Sequence, residues 1–189
     1  DGNIWVSTYK GISKYDVKKD FFVNYYSGDG LQGNEFTHGA YYKDEDGKIY
    51  FGGINGITSF SPRKINTDAK ELKVYITDFY VYSDPVHKNT LSDGTPIIFS
   101  SVQDANIFQL SYRDNTFSIA FSTLQYNNPE QIAYQYKIDE LSNQWAVTEP
   151  GVNRVTYNNL FPGKYTFRVR ALNHGNYSEV RTIKILIAS

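Results

Sequence analysis

Apolar and polar residues alternate with a period of two through the second half of the chain. In the segment NTFSIAFS the apolar residues Phe117, Ile119 and Phe121 are separated by small or polar ones. The segments AYQYKI and YTFRVRA repeat the pattern, and their apolar members are Tyr134, Tyr136 and Ile138 in the first and Tyr165, Phe167, Val169 and Ala171 in the second. Successive side chains of a strand point to opposite faces of a sheet, so this pattern predicts strands with one buried face.

About seven strands of this kind fit between residue 74 and the C-terminus, a number and spacing typical of a two-sheet sandwich. The last of them, TIKILI, presents Ile183, Ile185 and Ile187 to one face. Turns such as the one at Pro162 separate the strands. We therefore predict a β-sandwich of immunoglobulin or fibronectin type over residues 74–189.

A sixteen-residue pattern occurs twice in the first third of the chain. It reads DGNIWVSTYKGISKYD from Asp1 and DGKIYFGGINGITSFS from Asp46, 45 residues later. The alignment pairs Ile4 with Ile49, Trp5 with Tyr50, Ile12 with Ile57 and Tyr15 with Phe60. Each copy combines an Asp-Gly turn, a strand, a second turn containing glycine and a returning strand, which predicts a hairpin. The 45-residue spacing is typical of the blades of a β-propeller.

Residues 1–65 are therefore predicted to be a propeller remnant, formed by the end of one blade and the whole of the last blade. A propeller closes with about four to eight blades, so we expect the chain to be part of a longer protein that begins before Asp1. The polar run around Pro62 and beyond breaks the repeat and predicts a linker over residues 66–73.

Composition excludes several classes of function. The formal net charge is -1, and no cluster of Lys and Arg forms a basic face, so we expect no contact with nucleic acid. The chain has no cysteine, which excludes a disulfide, a thiolate metal site and a thiol nucleophile. No run of about 18 apolar residues is present to span a bilayer. The 17 Tyr and 12 Phe favour an all-β protein.

No residue pattern predicts catalysis, a metal site or a cofactor. The acidic segment KDEDGK lacks the later oxygen ligands of a calcium loop, and we interpret it as a solvated hairpin. The three histidines are far apart in the sequence. Tyr134 and Tyr136 offer flat rings of the kind that stack on sugars, but they share a face with Ile138, which favours a role in the core.

Two segments carry a resemblance to a known family. The stretch GLQGNEFTHGAYYKDEDGKIYFGGINGITSFSP resembles the last blade of the two-component regulator propeller repeats. The segments YQYKIDELSNQW and YNNLFPGKYTFRVRALNHG resemble the triple-tyrosine, or Y_Y_Y, domain that follows such propellers. The order of the two parts is that of the periplasmic sensor region of hybrid two-component systems of Bacteroides type. One departure is Glu140, which stands where the family usually has glycine.

The resemblance implies the membrane-proximal, extracytoplasmic part of a sensor histidine kinase that detects oligosaccharides and controls transcription. Propeller regions outside the chain would bind the ligand, and the parent receptor would be a homodimer tethered to the inner membrane. This part would be periplasmic and non-enzymatic. Predicted core residues are Tyr134, Tyr136, Trp145, Tyr165 and Phe167, and the predicted output strand contains Ile183, Ile185 and Ile187. The alternative is a carbohydrate-binding sandwich or an accessory domain of a glycan-degrading enzyme.

Overall fold

Where the structure describes the chain, its regular secondary structure is β-strand apart from one short 3-10 helix. A computed structural model describes residues 1–65, 72–124 and 132–189, and the predicted linker at 66–73 lies mostly outside these ranges. The chain divides into two compact units, Asp1–Lys70 with His174–Asn176, and Glu71–Asn173 with Tyr177–Ser189. The predicted all-β class, with propeller blades followed by a sandwich, is confirmed.

Residues 1–65 of the first unit contain six strands and one short 3-10 helix at Ser27–Asp29. The strands are β1 (Ile4–Thr8), β2 (Gly11–Asp16), β3 (Phe21–Tyr25), β4 (Phe36–Lys43), β5 (Ile49–Gly53) and β6 (Gly56–Phe60). They form two antiparallel sheets, with the orders β1-β2-β3 and β4-β5-β6. Both copies of the repeated pattern are hairpins, β1-β2 and β5-β6. Gly11 begins β2 with a positive φ, and a Cβ at this position would lie 2.1 Å from the Tyr25 carbonyl oxygen, so only glycine fits there.

The two sheets of the first unit pack against each other through one face each. Ile12 from the first sheet and Phe36 and Phe51 from the second are buried in this layer. The Trp5 ring lies across it, with its centroid 4.7 Å from that of Phe60. The alternation of side chains along each strand therefore assigns one inner face and one outer face to each sheet.

The second unit has seven strands of four or more residues within its described ranges. They are β7 (Tyr75–Val81), β11 (Ile107–Leu110), β12 (Phe117–Ser122), β13 (Ala133–Ile138), β15 (Arg154–Tyr157), β16 (Gly163–Asn173) and β18 (Arg181–Ile187). The two-residue strands are β8 (Asp84–Pro85), β9 (Leu91–Ser92), β10 (Thr95–Pro96), β14 (Ala146–Val147) and β17 (Asn176–Tyr177). One main sheet has the order β15-β12-β7-β8, and the other has β11-β18-β16-β13-β14.

The core of the second unit lies between these two sheets and is rich in aromatic rings. Phe79 stacks on Phe108 with a centroid separation of 4.3 Å and on Phe117 with one of 5.4 Å. Phe121 from one sheet contacts Tyr134 from the other, with centroids 4.9 Å apart. Such a densely packed layer resists gradual deformation, so the two sheets behave as one rigid sandwich.

Candidate interaction surfaces

The predicted output strand β18 is paired along both of its edges. It is antiparallel to β16 and parallel to β11, and its isoleucines Ile183, Ile185 and Ile187 are all buried. The pairing extends past the strand, because the Ala188 amide donates to the Leu110 carbonyl over 2.8 Å. Moving β18 alone would break two ladders and open the core.

Arg181 fastens the beginning of β18 to the segment before β11. Its Nη1 atom donates to Asn106 Oδ1 over 2.7 Å, and its Nη2 atom donates to the carbonyl oxygens of Ala105 and Gln103 over 3.0 and 3.4 Å. Burial of the guanidinium lowers the pKa of Arg181 from its ordinary value, while Asp104 opposes this shift. The planar fork of arginine suits several acceptors at once.

Three of the predicted core residues lie in the sandwich core, namely Tyr134, Tyr165 and Phe167. The Thr123 amide donates to the hydroxyl oxygen of Tyr134 over 3.3 Å, and the Tyr165 hydroxyl donates to the Phe161 carbonyl over 2.8 Å. Both rings are buried as well, so neither offers a face for a sugar to contact.

Tyr136 is only partly buried and packs against the edge of the core beside Tyr157. Burial, with a smaller contribution from Tyr136, raises the pKa of Tyr157 above its usual value. The environment of this pair is therefore apolar on the core side.

Trp145 does not lie in the core, in contrast to the prediction. It is half-buried on the outer face of its sheet, where the Arg170 guanidinium lies 4.5 Å from its ring centroid and the Lys137 ammonium lies 5.4 Å from it. The Arg170 guanidinium also lies 4.0 Å from the Tyr177 ring centroid, and Gln135 Oε1 accepts two hydrogen bonds from it. Cation-π contacts hold the indole ring against polar strand positions, so it covers the outside of the sheet.

The loop after β13 is fastened to β16 by two carboxylates. Asp139 accepts from Arg168 Nε over 2.7 Å and lies 2.9 Å from the Lys137 ammonium. The hydrogen bond from Arg168, followed by that from Lys137, lowers the pKa of Asp139 below its usual value. Glu140 accepts from the amide and the hydroxyl of Thr166 over 2.6 and 3.0 Å. The residue that departs from the family pattern therefore has a structural role here.

The outer faces of both sheets in the first unit expose apolar side chains. The exposed residues are Ile4, Val6 and Phe22 on the first sheet and Tyr42 and Ile57 on the second. Equivalent positions of the repeat differ in burial, because Ile12 is 1% exposed whereas its equivalent Ile57 is 71% exposed. Residues that are buried in one copy of the pattern are thus exposed in the other.

A cavity of about 600 Å³ opens in the first unit between β1 and β4. Its walls include Trp5, His38, Tyr41 and Tyr42. In the second copy of the repeat, β5 pairs with β4 along one edge and with β6 along the other. Its equivalent β1 pairs with β2 alone among the described strands, so its other edge is open. The cavity lies beside that open edge, where the repeat places a further strand.

The described residues were also compared with the requirements of a metal site and of a membrane helix. Across residues 1–65, 72–124 and 132–189, no three His, Cys, Asp or Glu side chains come together in a way that could hold a metal ion. Within the same ranges no helix has the length and apolar character needed to cross a membrane.

Comparison with known proteins agrees with this architecture. Residues 125–188 match the Y_Y_Y domain family. Over 182 residues the chain is 28% identical to Histidine kinase P4 of Formosa agariphila, an alignment that covers 96% of this chain and 13% of that protein. The Y_Y_Y resemblance predicted from the sequence is confirmed.

Two solved structures share the fold over the whole chain. One is the extracellular domain of the hybrid two component system BT3049 from B. thetaiotaomicron, with a TM-score of 0.74, 29% identity and coverage of 100% of this chain and 25% of that one. The other is the extracellular domain of BT4673 from the same organism, with a TM-score of 0.57 and 24% identity over 100% of this chain and 24% of that one. The chain thus spans about a quarter of the solved domains it matches.

Proposed function

We propose that this chain is the membrane-proximal, extracytoplasmic part of a hybrid two-component sensor and that it has no enzymatic activity of its own. The similarity to the BT3049 extracellular domain carries the proposal, since it extends over both units at 29% identity. The similarity to a histidine kinase over 96% of the chain supports the same assignment.

In this proposal the sandwich transmits movement as a rigid body. Its core is continuous and aromatic, and β18 is fixed on both edges, so a displacement applied to the unit reaches its last strand without loss. A periplasmic location, with a membrane segment after Ser189, would allow β18 to pass the signal to a kinase. The ligand would be an oligosaccharide bound by propeller regions outside the chain.

The parent receptor is proposed to act as a homodimer. Within the described residues β1 pairs only with β2 and β6 only with β5, so each leaves one strand edge without a partner. Unpaired edges recruit other strands, and the chain alone is expected to self-associate as its concentration rises. Light scattering that shows only monomer at high concentration would argue against association through these edges.

Two experiments on the intact receptor test the proposal. Deleting its gene should abolish the induction of glycan-degrading genes by one particular glycan, measured by transcript level. A flexible Gly-Ser insertion after Ser189 should abolish the same response, whereas the identical insertion at the exposed turn of residues 149–150 should preserve it. Unchanged induction in the deletion strain on every glycan tested would overturn the sensor assignment.

The alternative function is direct carbohydrate binding by this chain. Calorimetric titration of the isolated chain with the inducing oligosaccharide distinguishes the two functions. No heat of binding is expected from the chain alone. Tight binding with one ligand per chain would favour a carbohydrate-binding module.

A further inference from the structure

Each copy of the repeat is joined by a third strand, but on a different side. The hairpin β1-β2 is equivalent to the hairpin β5-β6. In the first sheet β3 pairs with the free edge of β2, and in the second sheet β4 pairs with the free edge of β5. A complete unit therefore has four strands, and among the described residues the second sheet has no counterpart of β3 beside β6.

The residues that follow β6 do not repeat the sequence of β3. Strand β3 reads FFVNY, and its central residue Val23 is buried. The residues 45 positions later, 66–70, read NTDAK and have Asp68 in the place of Val23. Asp and Asn are depleted in strands, whereas Phe, Val and Tyr are enriched. The sequence of this chain therefore contains β3 once, and the strand that the repeat places beside β6 is encoded elsewhere.

The edge of β6 has none of the features that protect an exposed strand edge. Its sequence, GITSF, contains no charged residue and no proline, and its pairing with β5 has no bulge. In contrast, β8 at the edge of a sandwich sheet consists of Asp84 and Pro85. Natural edges that remain in water are commonly short, charged, bulged or interrupted by proline. Strand β6 thus resembles an interior strand whose second edge is covered by a neighbour.

The first residue of β6 leaves room for such a neighbour. At Gly11 a Cβ would lie 2.1 Å from the carbonyl oxygen of Tyr25, the last residue of β3. At the equivalent Gly56 no described atom lies within 4 Å of the same Cβ position. Both glycines have a positive φ, which by itself favours glycine, but only Gly11 is also approached by a third strand. A strand paired with β6 as β3 is paired with β2 would bring its last carbonyl to Gly56.

We infer that the edge of β6 is completed by a β3-like strand from a distant part of the same longer protein, namely the segment just before the first full repeat of the propeller. A ring of four-stranded blades whose last unit lacks its fourth strand is completed when one such strand stands alone at the start of the ring. This chain covers 25% of the BT3049 extracellular domain, so most of a domain of that kind lies outside it. A strand of the same polypeptide has a higher effective concentration at β6 than a strand of a second copy.

The equivalence also predicts the sequence and direction of this closing strand. It runs antiparallel to β6 over about five residues, as β3 does to β2. Val23 lies opposite Lys14, whose equivalent in β6 is Ser59. The residue opposite Ser59 is therefore expected to be apolar and to lie on the same face of the sheet as Ile57. The strand joins the first blade of the ring to the last.

Hydrogen exchange measured by mass spectrometry tests this inference by comparing β6 with β2 in three proteins. They are this chain at a concentration at which it is monomeric, the complete extracellular region of the parent, and that region without the strand before its first full repeat. In this chain β6 should exchange up to about tenfold faster than β2, because amides along its open edge lack a hydrogen bond. In the complete region the two strands should be equally protected. The deletion should restore fast exchange at β6, while unchanged peptides from β16 show that the protein is still folded.

Equal protection of β2 and β6 in this chain would overturn the inference, and so would protection of β6 that survives the deletion. A crosslink in the complete region decides the matter if the deletion prevents folding. A photoreactive p-benzoylphenylalanine at the exposed position of Ser59 should crosslink to the segment before the first full repeat. Crosslinks to residues 66–71 or to a second copy would overturn the inference. Neither experiment depends on what the parent detects, so both are independent of the induction experiments.

Discussion

The repeat provides two equivalent positions that hold the same residue but differ in burial, so the effect of packing on stability can be measured with the residue type held constant. Ile12 and Ile57 occupy the same place in the two copies, but Ile12 lies between the sheets whereas Ile57 is on an outer face. Replacing either isoleucine by alanine removes the same atoms, from the central strand β2 of one three-stranded sheet or from the edge strand β6 of the other. Only Ile12→Ala is expected to leave a cavity.

The expected loss of stability depends on how many side chains surround Ile12 in the buried layer. Truncating a buried isoleucine to alanine costs about 2–5 kcal/mol, and the lower half applies here because few side chains surround Ile12. We therefore expect Ile12→Ala to lower the free energy of unfolding of the first unit by about 2–3 kcal/mol, which is about 30- to 160-fold in its unfolding equilibrium constant. Ile57→Ala should change that free energy by less than about 0.5 kcal/mol.

Tryptophan fluorescence provides the assay. Trp5 packs against Phe60 between the sheets of the first unit, and the other tryptophan, Trp145, belongs to the second. In a Trp145→Phe background, urea titration followed by fluorescence therefore reports the first unit alone. If Ile57→Ala proves as destabilising as Ile12→Ala in this chain, the assignment of inner and outer faces is wrong.

Three further predictions concern the sandwich. Tyr165→Phe should lower its free energy of unfolding by about 1–2 kcal/mol, since the Phe161 carbonyl loses its donor; in a Trp5→Phe background, urea denaturation followed by Trp145 fluorescence measures this, and an unchanged midpoint would contradict it. Asp139 has a folded-state pKa below its unfolded value, so its stabilising effect is present above pH about 4 and is lost as the pH falls through the folded pKa. Asp139→Asn should therefore make the melting temperature less dependent on pH over this acidic range and should lower it near neutrality. Parallel curves of melting temperature against pH for the variant and the wild type would refute the linkage. Arg181→Lys should destabilise the sandwich by about 1–3 kcal/mol, because an ammonium cannot replace the fork to Asn106 and its neighbours; a calorimetric melt at wild-type temperature would count against it.

Local patterns in the sequence were sufficient for much of the fold. The alternation around Phe167 and Ile185 identifies strands because each has one face in the core, and the repeat identifies both hairpins because turn and strand recur together. Strand β11 was not assigned from sequence, although Phe108 and Leu110 carry a short alternation that could have indicated it. Its parallel pairing with β18 joins residues that are 77 apart in the sequence, which no local pattern specifies.

The position of Trp145 shows where sequence reasoning fails. Large aromatic residues are usually assigned to the core, and nothing adjacent to Trp145 in the sequence argues otherwise. Its actual surroundings come from Lys137 on β13 and Arg170 on β16, which become neighbours only when the strands pair. The exposed aromatic residues Tyr82, Tyr112 and Phe161 are equally invisible as a group in the sequence, because they come from three separate loops.

Exposed apolar residues in this protein have two different meanings, and the repeat separates them. Ile57 has an equivalent that is buried against a neighbouring sheet, so the pattern itself indicates that another blade covers it in a longer protein. Phe161 is 83% exposed but lies outside the repeat, so it has no such equivalent. In a longer soluble fragment that includes the preceding propeller, a cysteine-reactive probe should therefore react more slowly at Ile4→Cys and Ile57→Cys than in this chain. Labelling at Phe161→Cys, a position outside the repeat, should remain as fast; slower labelling at 161 in that fragment would show that it covers more than the faces that the repeat identifies.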